Sequence, residues 1–433
     1  MSGAAAPLFV IDDDPTGAQG QADVPLLLSW DAELIEAAVR EEPRALHLLT
    51  NSRALDEVGA YATVRDAVAA VAGVAADPRI VLRGDSTLRA HLLPEYTAVR
   101  DVVWPDLAPP LLLVPALPVA GRITRDGRHL LVRDGKPIPL DETEFARDGD
   151  FAYSSSRLLE WAEERSGGYF PAPAGTEIPL GVVRAPGGGA AVRDALLDAA
   201  ARPEAAVVVP DAESASDLQT IADGLTQAWD RNPAIVVRCA PTFASILSGA
   251  GATDVVPLPP LGRGLLVVVG SHVPMTTSQL TTLASSYPGS LIEIDAGTLA
   301  GTGAPEAVAD ATAQARGLLE RDGIAIVATS RAVDPDALGA DSGMRVAKGL
   351  ARVVAELADA YGVLLSKGGI TSAVNVKEGL GAERAQVIGP VTTGISLWRV
   401  ASEAGEERPV IVFPGNVGDT HELADLVKRL MEA

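Results

Sequence analysis

The sequence predicts an α/β protein with two domains, each with a mainly parallel sheet flanked by helices. Two observations carry this prediction. Short apolar runs, typical of buried strands, alternate with amphipathic helical patterns from one end of the chain to the other. The chain has 433 residues, which is more than one ordinary hydrophobic core supports, so we expect two domains.

A stretch rich in proline and glycine interrupts this alternation between Thr253 and Gly264. Such turn-rich segments typically join domains. We therefore predict an N-terminal domain over residues 1–252, a linker over 253–264 and a C-terminal domain over 265–433, with a ligand cleft between the domains. Ligands of open α/β sheets bind beyond the carboxyl ends of the strands, so the residues that follow each strand are the candidate site residues.

The expected strands are short apolar runs bounded by turn residues. In the first half they are Leu8–Asp12, Ala45–Thr50, Ile80–Gly84, Leu111–Pro115, Gly181–Arg184, Ala205–Pro210 and Ile235–Arg238. In the second half they are Leu265–Gly270, Ser290–Asp295, Ile324–Thr329, Val363–Lys367 and Val410–Pro414. The helical patterns between them include Ala32–Arg40, Tyr61–Val74, Ser155–Arg165, Val192–Ala201, Ser216–Asp230, Ser278–Ser285, Ala307–Arg321, Ser342–Tyr361 and Thr420–Met431.

Composition excludes several classes of protein. Hydrophobic residues make up 47% and charged residues 21%, which is typical of a globular chain. The net charge of -22 argues against nucleic acid or an anionic membrane as a partner. No apolar run is long enough for a membrane span, and the N-terminus lacks the basic start of a signal peptide. Cys239 is the only cysteine, so no internal disulfide can form, and we expect a cytoplasmic protein.

The first predicted strand runs into Asp12-Asp13-Asp14-Pro15-Thr16-Gly17. Adjacent carboxylates repel one another, so they need compensation by cations, a metal or hydrogen-bond donors. A carboxylate here suits a reaction in which an alcohol must lose its proton. From spacing alone, an Asp-rich turn without a chemical role is equally compatible with the pattern.

Three further strand ends place an arginine among small polar residues. They are Asn51-Ser52-Arg53, Asp85-Ser86-Thr87-Leu88-Arg89 and Gly121-Arg122. Arginine forks match carboxylates, and hydroxyl, amide and carboxylate groups match polyols. The four strand ends together predict a site for a small anionic, hydroxylated molecule.

The second half offers glycine-containing turns after its strands. They are Gly270-Ser271, Lys367-Gly368-Gly369-Ile370-Thr371 and Gly415-Asn416. Glycine lets backbone N–H groups approach phosphate oxygens closely. None of these turns is a Walker A loop or a dinucleotide fingerprint. The segment from Gly389 to Gly394 either lines an adenosine pocket or is a connecting loop without a binding role. The sequence favours neither of these two alternatives.

As a set these motifs resemble the four-carbon acid sugar kinase family, formerly a domain of unknown function. The resemblance spans the chain from Asp13 to Gly418 and keeps the order of the family's motifs. It implies an ATP-dependent kinase of threonate, erythronate or 3-oxo-tetronate, whose N-terminal domain binds the sugar acid and whose C-terminal domain binds nucleotide. Mg²⁺ would be held largely by the nucleotide phosphates, and we expect no metal-ligating side-chain set.

The resemblance also implies roles for individual residues. Asp14 or Asp85 would be the catalytic base, and Asp12, which departs from the family pattern, would have only a structural part. The substrate side would comprise Asp13, Thr16, Asn51, Ser52, Arg53, Ser86, Arg89 and Arg122, with the acid's carboxylate on Arg53, Arg89 or Arg122. The nucleotide side would comprise Ser271, Lys367, Gly368, Gly369, Ile370, Thr371, Gly394, Gly415 and Asn416.

Two other functions are compatible with this fold class. A hydride-transfer enzyme or isomerase would need a dinucleotide fingerprint or a metal cluster, and the sequence has neither motif. A non-catalytic protein that binds sugar acid and nucleotide would keep the arginines while losing the carboxylates and glycine turns, and both are retained. The protein could act alone or as a homodimer, which the sequence does not decide.

Overall fold

The computed structural model describes residues 7–15, 21–249, 255–331, 342–401 and 406–432. The β-strands are β1 Leu8–Asp12, β2 Val24–Leu27, β3 Ala45–Leu49, β4 Ile80–Arg83, β5 Leu111–Val114, β6 Arg122–Arg125, β7 Arg128–Arg133, β8 Lys136–Pro139, β9 Thr176–Ile178, β10 Val207–Pro210, β11 Val236–Cys239, β12 Leu265–Val269, β13 Leu291–Ile294, β14 Ile324–Thr329, β15 Val363–Lys367, β16 Arg384–Thr392, β17 Ile395–Ala401 and β18 Glu407–Phe413.

The α-helices lie between and after these strands. They are α1 Ala32–Val39, α2 Glu57–Val74, α3 Leu92–Val103, α4 Leu158–Arg165, α5 Leu180–Val183, α6 Gly188–Ala200, α7 Ala215–Trp229, α8 Pro241–Ser248, α9 Pro274–Ser286, α10 Ala296–Ala300, α11 Ala304–Asp322, α12 Ser342–Glu356, α13 Gly369–Val374 and α14 Glu422–Met431. No helix in the described ranges is long and apolar enough to cross a membrane.

The first compact unit comprises Met1–Gly17 and Ser29–Gly251. Its main sheet has the spatial order β3-β1-β4-β11-β5-β10-β9, and every recorded pairing in it is parallel. The strands are buried on both faces because helices cover them, which explains their continuous apolar sequences. The strands β6, β7 and β8 form a separate antiparallel sheet that follows β5 in the chain.

The second compact unit comprises Ala18–Leu28 and Ala252–Ala433. Its parallel strands have the order β13-β14-β12-β15-β18, and β17, β16 and β2 extend the sheet in antiparallel fashion. The fold class predicted from the sequence is therefore confirmed, with two α/β units and mainly parallel sheets. The ligand cleft expected between them stays a prediction.

The predicted N-terminal domain over residues 1–252 includes a segment that the structure places elsewhere. Residues of β2 pair with β16, with Val24 opposite Val387 and Leu27 opposite Arg384, and the Leu28 N–H donates to the Glu383 carbonyl at 2.8 Å. This long-range pairing assigns the Ala18–Leu28 segment to the second unit. A four-residue strand carries no signal in the sequence that names its partner, so the boundary prediction could not include this exchange.

One local prediction was wrong. The run Gly181–Arg184 forms the helix α5 instead of a strand, because Pro179 precedes it and its carbonyl accepts hydrogen bonds from the N–H groups of Val182 and Val183. The segment from Gly389 to Thr392 is part of β16, and only a tight turn separates it from β17. Whether this part of the chain lines an adenosine pocket stays a prediction.

Candidate functional site

Asp12, the last residue of β1, is buried and ties its strand to both neighbours. Its Oδ1 accepts a hydrogen bond from Arg83 Nε at 2.6 Å, and its Oδ2 lies 2.7 Å from His47 Nδ1. Burial alone would raise the pKa of Asp12, but Arg83 and His47 hold it below its ordinary value. Because β3 carries His47 and β4 carries Arg83, Asp12 links three neighbouring strands, and that it has only a structural part stays a prediction.

Asp13 is also buried, and three arginines surround it. Its Oδ1 lies 3.1 Å from Arg53 Nη2 and 3.2 Å from Arg83 Nη1, and its Oδ2 lies 3.7 Å from Arg238 Nη2. Burial raises the pKa of Asp13 above its ordinary value although Arg53 and Arg83 oppose the rise. The carboxylate is thus enclosed by cations with little exposure to solvent.

Asp14 is the most exposed of the three consecutive aspartates, with 19% of its side chain accessible. Its Oδ2 lies 3.2 Å from Arg53 Nη2, and Arg83 donates to its backbone carbonyl. Arg53 follows β3 and therefore bridges Asp13 and Asp14. Asp14 is thus held in place and still reaches the surface, and its role as general base stays a prediction.

Asp85, which follows β4, is held more tightly. Its Oδ2 accepts hydrogen bonds from Thr87 Oγ1 and, at 2.7 Å, from Arg89 Nε. Burial opposes ionisation, yet Arg89 and Arg53 hold the pKa of Asp85 far below its ordinary range. Arg89 also donates a hydrogen bond from Nη1 to Asp148 Oδ2 at 3.0 Å. A carboxylate with so low a pKa is a weak proton acceptor. Which of Asp14 and Asp85 is the base stays a prediction.

Two charged residues that the sequence analysis did not select complete this cluster. Glu95 on α3 accepts hydrogen bonds from Ser52 Oγ at 2.6 Å and from Arg238 Nη1. Both Glu95 and Arg238 are buried. An arginine in the otherwise apolar strand β11 was a usable signal, because a buried cation needs a carboxylate partner. Glu95 lies on a helix that the sequence analysis did not predict and carried no such signal.

The structure places the remaining predicted substrate residues at different depths. Ser52 is buried, and its hydroxyl donates a hydrogen bond to Glu95. Ser86 is also buried, and its carbonyl oxygen lies 2.9 Å from His129 Nε2. Asn51 adopts a left-handed conformation with φ of 53° that forms the turn after β3. Substrate contact by these three residues stays a prediction. Thr16 lies outside the described residues.

Arg122 begins β6 and lies in the electrostatic environment of Asp85 and Arg89. Its guanidinium stacks over Phe145, with 5.6 Å between Cζ and the ring centroid. The fold therefore brings Asp13, Asp14 and Arg53 together by ion pairs, joins Asp85 to Arg89, and adds Arg122 beside that pair.

In the second unit, the turns after β12, β15 and β18 meet. The Thr276 hydroxyl lies 3.1 Å from Ser271 Oγ and 2.8 Å from the Gly415 carbonyl oxygen. Gly368 has φ of 118°, which side chains rarely adopt, and a Cβ there would lie 3.0 Å from Ser271 Cβ. Three of the predicted nucleotide turns are therefore one structural cluster.

Lys367, the last residue of β15, is fully buried next to this cluster. Its Nζ donates hydrogen bonds to the carbonyls of Pro414 and, at 3.2 Å, Gly415, and it lies 3.8 Å from the centroid of the Phe413 ring. Burial lowers the pKa of Lys367 to about 7. In this geometry Lys367 positions the turn after β18, and its direct contact with a nucleotide stays a prediction.

The other predicted nucleotide residues differ in accessibility. Ile370 is 40% exposed, Asn416 is exposed, and Thr371 is buried. Gly369 is the first residue of α13, directly after Gly368. Gly394 occupies the turn between β16 and β17 with φ of 76°, so its conformation is explained by that turn.

Two residues missed by the sequence analysis also position these turns. Arg331 donates to the Ser271 carbonyl at 2.5 Å and to the Thr329 carbonyl at 2.8 Å. Gln279 donates to the Val417 and Asp419 carbonyls at 3.0 and 2.6 Å. Neither residue lies in a motif, and only tertiary contact reveals their role.

The described residues contain no group of three or more His, Cys, Asp or Glu side chains that could hold a metal ion. The acidic side chains after β1 and β4 are instead paired with arginines. A divalent cation that depends mainly on nucleotide phosphates for its ligands is compatible with this donor set.

Comparison with known proteins identifies the two halves. Residues 8–247 match the family model described as a sugar-binding N-terminal domain. Residues 266–423 match the one described as a nucleotide-binding C-terminal domain. The chain belongs to the four-carbon acid sugar kinase family. The carboxylate–arginine cluster lies in the sugar-binding domain, and the cluster of turns lies in the nucleotide-binding domain.

Two named relatives belong to this comparison. A D-erythronate kinase of Heliobacterium modesticaldum is 34% identical over 258 residues, which cover 58% of this chain and 52% of the relative. The match thus spans about half the length of that protein. A D-threonate kinase of Salmonella typhimurium is 26% identical over 447 aligned positions, which cover 98% of both chains.

Solved structures of low identity share the fold of this family member. A Salmonella typhimurium LT2 protein described as a tRNA synthase has a TM-score of 0.71 at 19% identity and covers 98% of this chain and 99% of its own. A Haemophilus influenzae protein of the DUF1537 family has a TM-score of 0.63 at 19% identity, with 96% and 99% coverage. At this identity the likeness concerns the fold alone.

Proposed function

We propose that the protein catalyses ATP-dependent phosphorylation of a hydroxyl group of a four-carbon sugar acid such as threonate, erythronate or 3-oxo-tetronate. One observation carries the proposal: the same chain contains both kinds of cluster. A carboxylate–arginine cluster lies in the domain that matches a sugar-binding family, and clustered glycine turns lie in the domain that matches a nucleotide-binding family. The two kinase relatives support the same class of substrate.

The proposed reaction transfers the γ-phosphoryl group of ATP to a substrate oxygen. The hydroxyl oxygen attacks the γ-phosphorus, the bond between that phosphorus and the bridging oxygen breaks, and ADP leaves with the electron pair. Asp14 takes the hydroxyl proton, and Arg53 keeps the Asp14 carboxylate in place at 3.2 Å. Reactions of this kind depend chiefly on positioning and on neutralisation of charge.

On the nucleotide side, Ser271, Gly368 to Thr371 and Gly415 would hold the phosphates. The side chains of Lys367, Thr276 and Arg331 donate hydrogen bonds to backbone carbonyls of these turns. Mg²⁺ would supply charge neutralisation of the phosphates when bound. ATP as the phosphoryl donor, the need for Mg²⁺, the cytoplasmic location and a homodimer are predictions that belong to this proposal.

An ADP-release assay tests the proposal. Purified protein is incubated with ATP and Mg²⁺ and, in turn, with D-threonate, D-erythronate and 3-oxo-tetronate, and each reaction is repeated without Mg²⁺ and without acid. We expect ADP release that requires both the acid and Mg²⁺, with one acid preferred. Binding of both ligands in a thermal-shift assay without ADP release would favour the non-catalytic alternative.

A further inference from the structure

Arg83, the last residue of β4, is a buried arginine that the proposed reaction does not use. Only 2% of its side chain is exposed, which is too little for direct contact with a substrate. Its guanidinium group instead contacts all three consecutive aspartates. Nε donates to Asp12 Oδ1 at 2.6 Å, Nη1 lies 3.2 Å from Asp13 Oδ1, and Nη2 donates to the backbone carbonyl of Asp14. One side chain thus reaches the end of β1 and the two residues that follow it.

The backbone carbonyls of Asp13 and Asp14 are held by donors of different kinds. The Asp13 carbonyl accepts a hydrogen bond from the backbone N–H of Arg53 at 3.2 Å. The Asp14 carbonyl accepts one from the side chain of Arg83. A substitution of Arg83 therefore changes the support of Asp14 and leaves the backbone donor at Asp13 in place.

A buried network fixes the direction of the Arg83 side chain. One oxygen of Asp12 binds Arg83 Nε, and its other oxygen lies 2.7 Å from His47 Nδ1. Asp12 and His47 are both buried. Removal of one partner of a buried ion pair leaves an uncompensated charge, so such pairs resist rearrangement. Asp12 therefore aims Arg83 at Asp14, and His47 keeps Asp12 in place.

We propose that Arg83 is a positioning residue that holds the backbone of Asp14, so that the Asp14 carboxylate meets the substrate hydroxyl. The inference rests on the proposed kinase function, in which Asp14 accepts the proton of that hydroxyl, and it deepens that function. Arg53 restrains the carboxylate of Asp14, and Arg83 restrains the carbonyl of the same residue. Asp12, which departs from the family pattern, takes part in this positioning through Arg83.

A double-mutant cycle tests whether Arg83 acts through Asp14. The values of kcat and KM for the sugar acid are measured for the wild type, Arg83→Lys, Asp14→Asn and the double variant. Lysine keeps the positive charge beside the aspartates, but its single ammonium group does not reproduce the fork of contacts.

We expect Arg83→Lys to lower kcat by about 10- to 100-fold with KM for the acid changed only a few-fold, because a small displacement of a reacting group costs about that much in rate. In the Asp14→Asn background the same substitution should lower the residual kcat by less than about threefold, since the group that Arg83 positions is already lost. An equal loss in both backgrounds would overturn the proposal, because Arg83 would then support the fold in general. An unchanged kcat in Arg83→Lys would overturn it as well.

Arg79→Lys is the matched control. Arg79 directly precedes the other end of β4, is 36% exposed and pairs with Asp230 at 2.7 Å, so its replacement should leave kcat and KM unchanged. Melting temperatures of all variants report whether the fold is intact. If Arg83→Lys does not fold, Asp12→Asn replaces it in the cycle, because asparagine removes the charge that anchors Arg83 and keeps an acceptor oxygen. The same dependence on Asp14 is then expected, and equal losses in both backgrounds would again reject the proposal.

Failure of the kinase function would look different. The wild type itself would then release no ADP with any acid, and hydrogen exchange with mass spectrometry would compare the wild type and Arg83→Lys directly. Faster amide exchange in peptides that contain Asp13 and Asp14, with unchanged exchange in β10, would uphold the positioning by Arg83. Equal exchange in the two proteins, or a rise that β10 shares, would reject it.

Discussion

At the scale of single residues, the site is built from charges that neutralise one another at the carboxyl ends of β1, β3, β4 and β11. A chain with a net charge of -22 repels anions on the whole, so a site for an anionic acid must gather arginines locally. Each aspartate has a different set of partners, and the pKa of each shifts accordingly. We therefore expect Asp12, Asp13 and Asp85 to differ in their chemical roles.

The proposed role of Asp14 as proton acceptor leads to a first prediction. Asp14→Asn keeps the size of the side chain and removes its basicity, so kcat should fall by about 100-fold or more while sugar-acid binding is retained. Steady-state kinetics and a thermal shift with the acid measure the two effects. Asp66→Asn, on the exposed face of α2, is the control and should leave both unchanged. Normal turnover by Asp14→Asn would exclude this residue as the base.

His129 leads to a prediction about pH. Its Nε2 donates to the Ser86 carbonyl at 2.9 Å, and its Nδ1 lies 3.2 Å from Thr124 Oγ1. Burial lowers the pKa of His129 to about 4. Because the folded-state pKa is below the unfolded value of about 6.5, the stabilising contribution is present above that value and is lost as pH falls towards 4.

We expect the wild type to lose about 2 kcal/mol of stability between pH 7.5 and pH 5 from this residue alone. His129→Gln should therefore show a shallower decline of unfolding free energy over that range, measured by denaturant titration at each pH. His421→Gln serves as control because that histidine is exposed. Parallel declines for the wild type and His129→Gln would contradict the prediction.

At the scale of elements, parallel strands align their carboxyl ends and thereby bring turns distant in the sequence together. The turn after β12 and the turn after β18 are linked by Thr276 although about 140 residues separate them, with Thr276 Oγ1 2.8 Å from the Gly415 carbonyl oxygen. Such a cluster has little room for added atoms. A Cβ at Gly415 would approach Ser271 Oγ closely and would lie 3.2 Å from Val273 Cγ2.

Gly415→Ala should consequently displace the Ser271 turn and weaken ATP binding by about tenfold or more, because overpacking of this kind costs more than 1 kcal/mol. Isothermal titration with a non-hydrolysable ATP analogue measures the loss, and sugar-acid binding should be unaffected. Gly317→Ala is the matched control, since nothing lies within 4 Å of a Cβ there and a helix-interior alanine should stabilise α11 by about 1 kcal/mol. Unchanged ATP affinity in Gly415→Ala would remove Gly415 from the nucleotide site.

At the scale of the whole molecule, the two kinds of ligand are expected in different domains. Residues 8–247 carry the sugar-binding match and residues 266–423 the nucleotide-binding match. Each ligand should therefore order its own set of backbone segments when it binds alone.

Hydrogen exchange with mass spectrometry measures that separation in the full chain. D-threonate or D-erythronate alone should slow amide exchange in peptides that contain residues 51–53 and 83–89. A non-hydrolysable ATP analogue alone should slow exchange at residues 271–276, 367–371 and 415–419. Protection of the 367–371 peptide by the acid alone would place that ligand in the wrong domain and refute the assignment.

Much of the fold could be predicted because the information is local. Continuous apolar runs marked the central parallel strands, and the ends of β14 and β15 agree with the prediction to the residue. The antiparallel strands β16 and β17 and the short β2 were missed, since their pairing depends on partners far away in the chain. The same limit explains why Glu95 was not selected, whereas Arg238, as an arginine in an apolar strand, carried a local signal.

The sequence by itself determined the fold class, the family resemblance and the strand ends at which the polar residues gather, because apolar periodicity and short motifs are properties of neighbouring residues. Only the tertiary structure decided which charges meet. It paired Arg53 with Asp14 and Arg238 with Glu95, buried Lys367 under the turn after β18, and left Arg122 without a carboxylate among the described residues. Ion pairing and desolvation depend on distances between segments far apart in the chain, and these distances arise only when the sheets assemble.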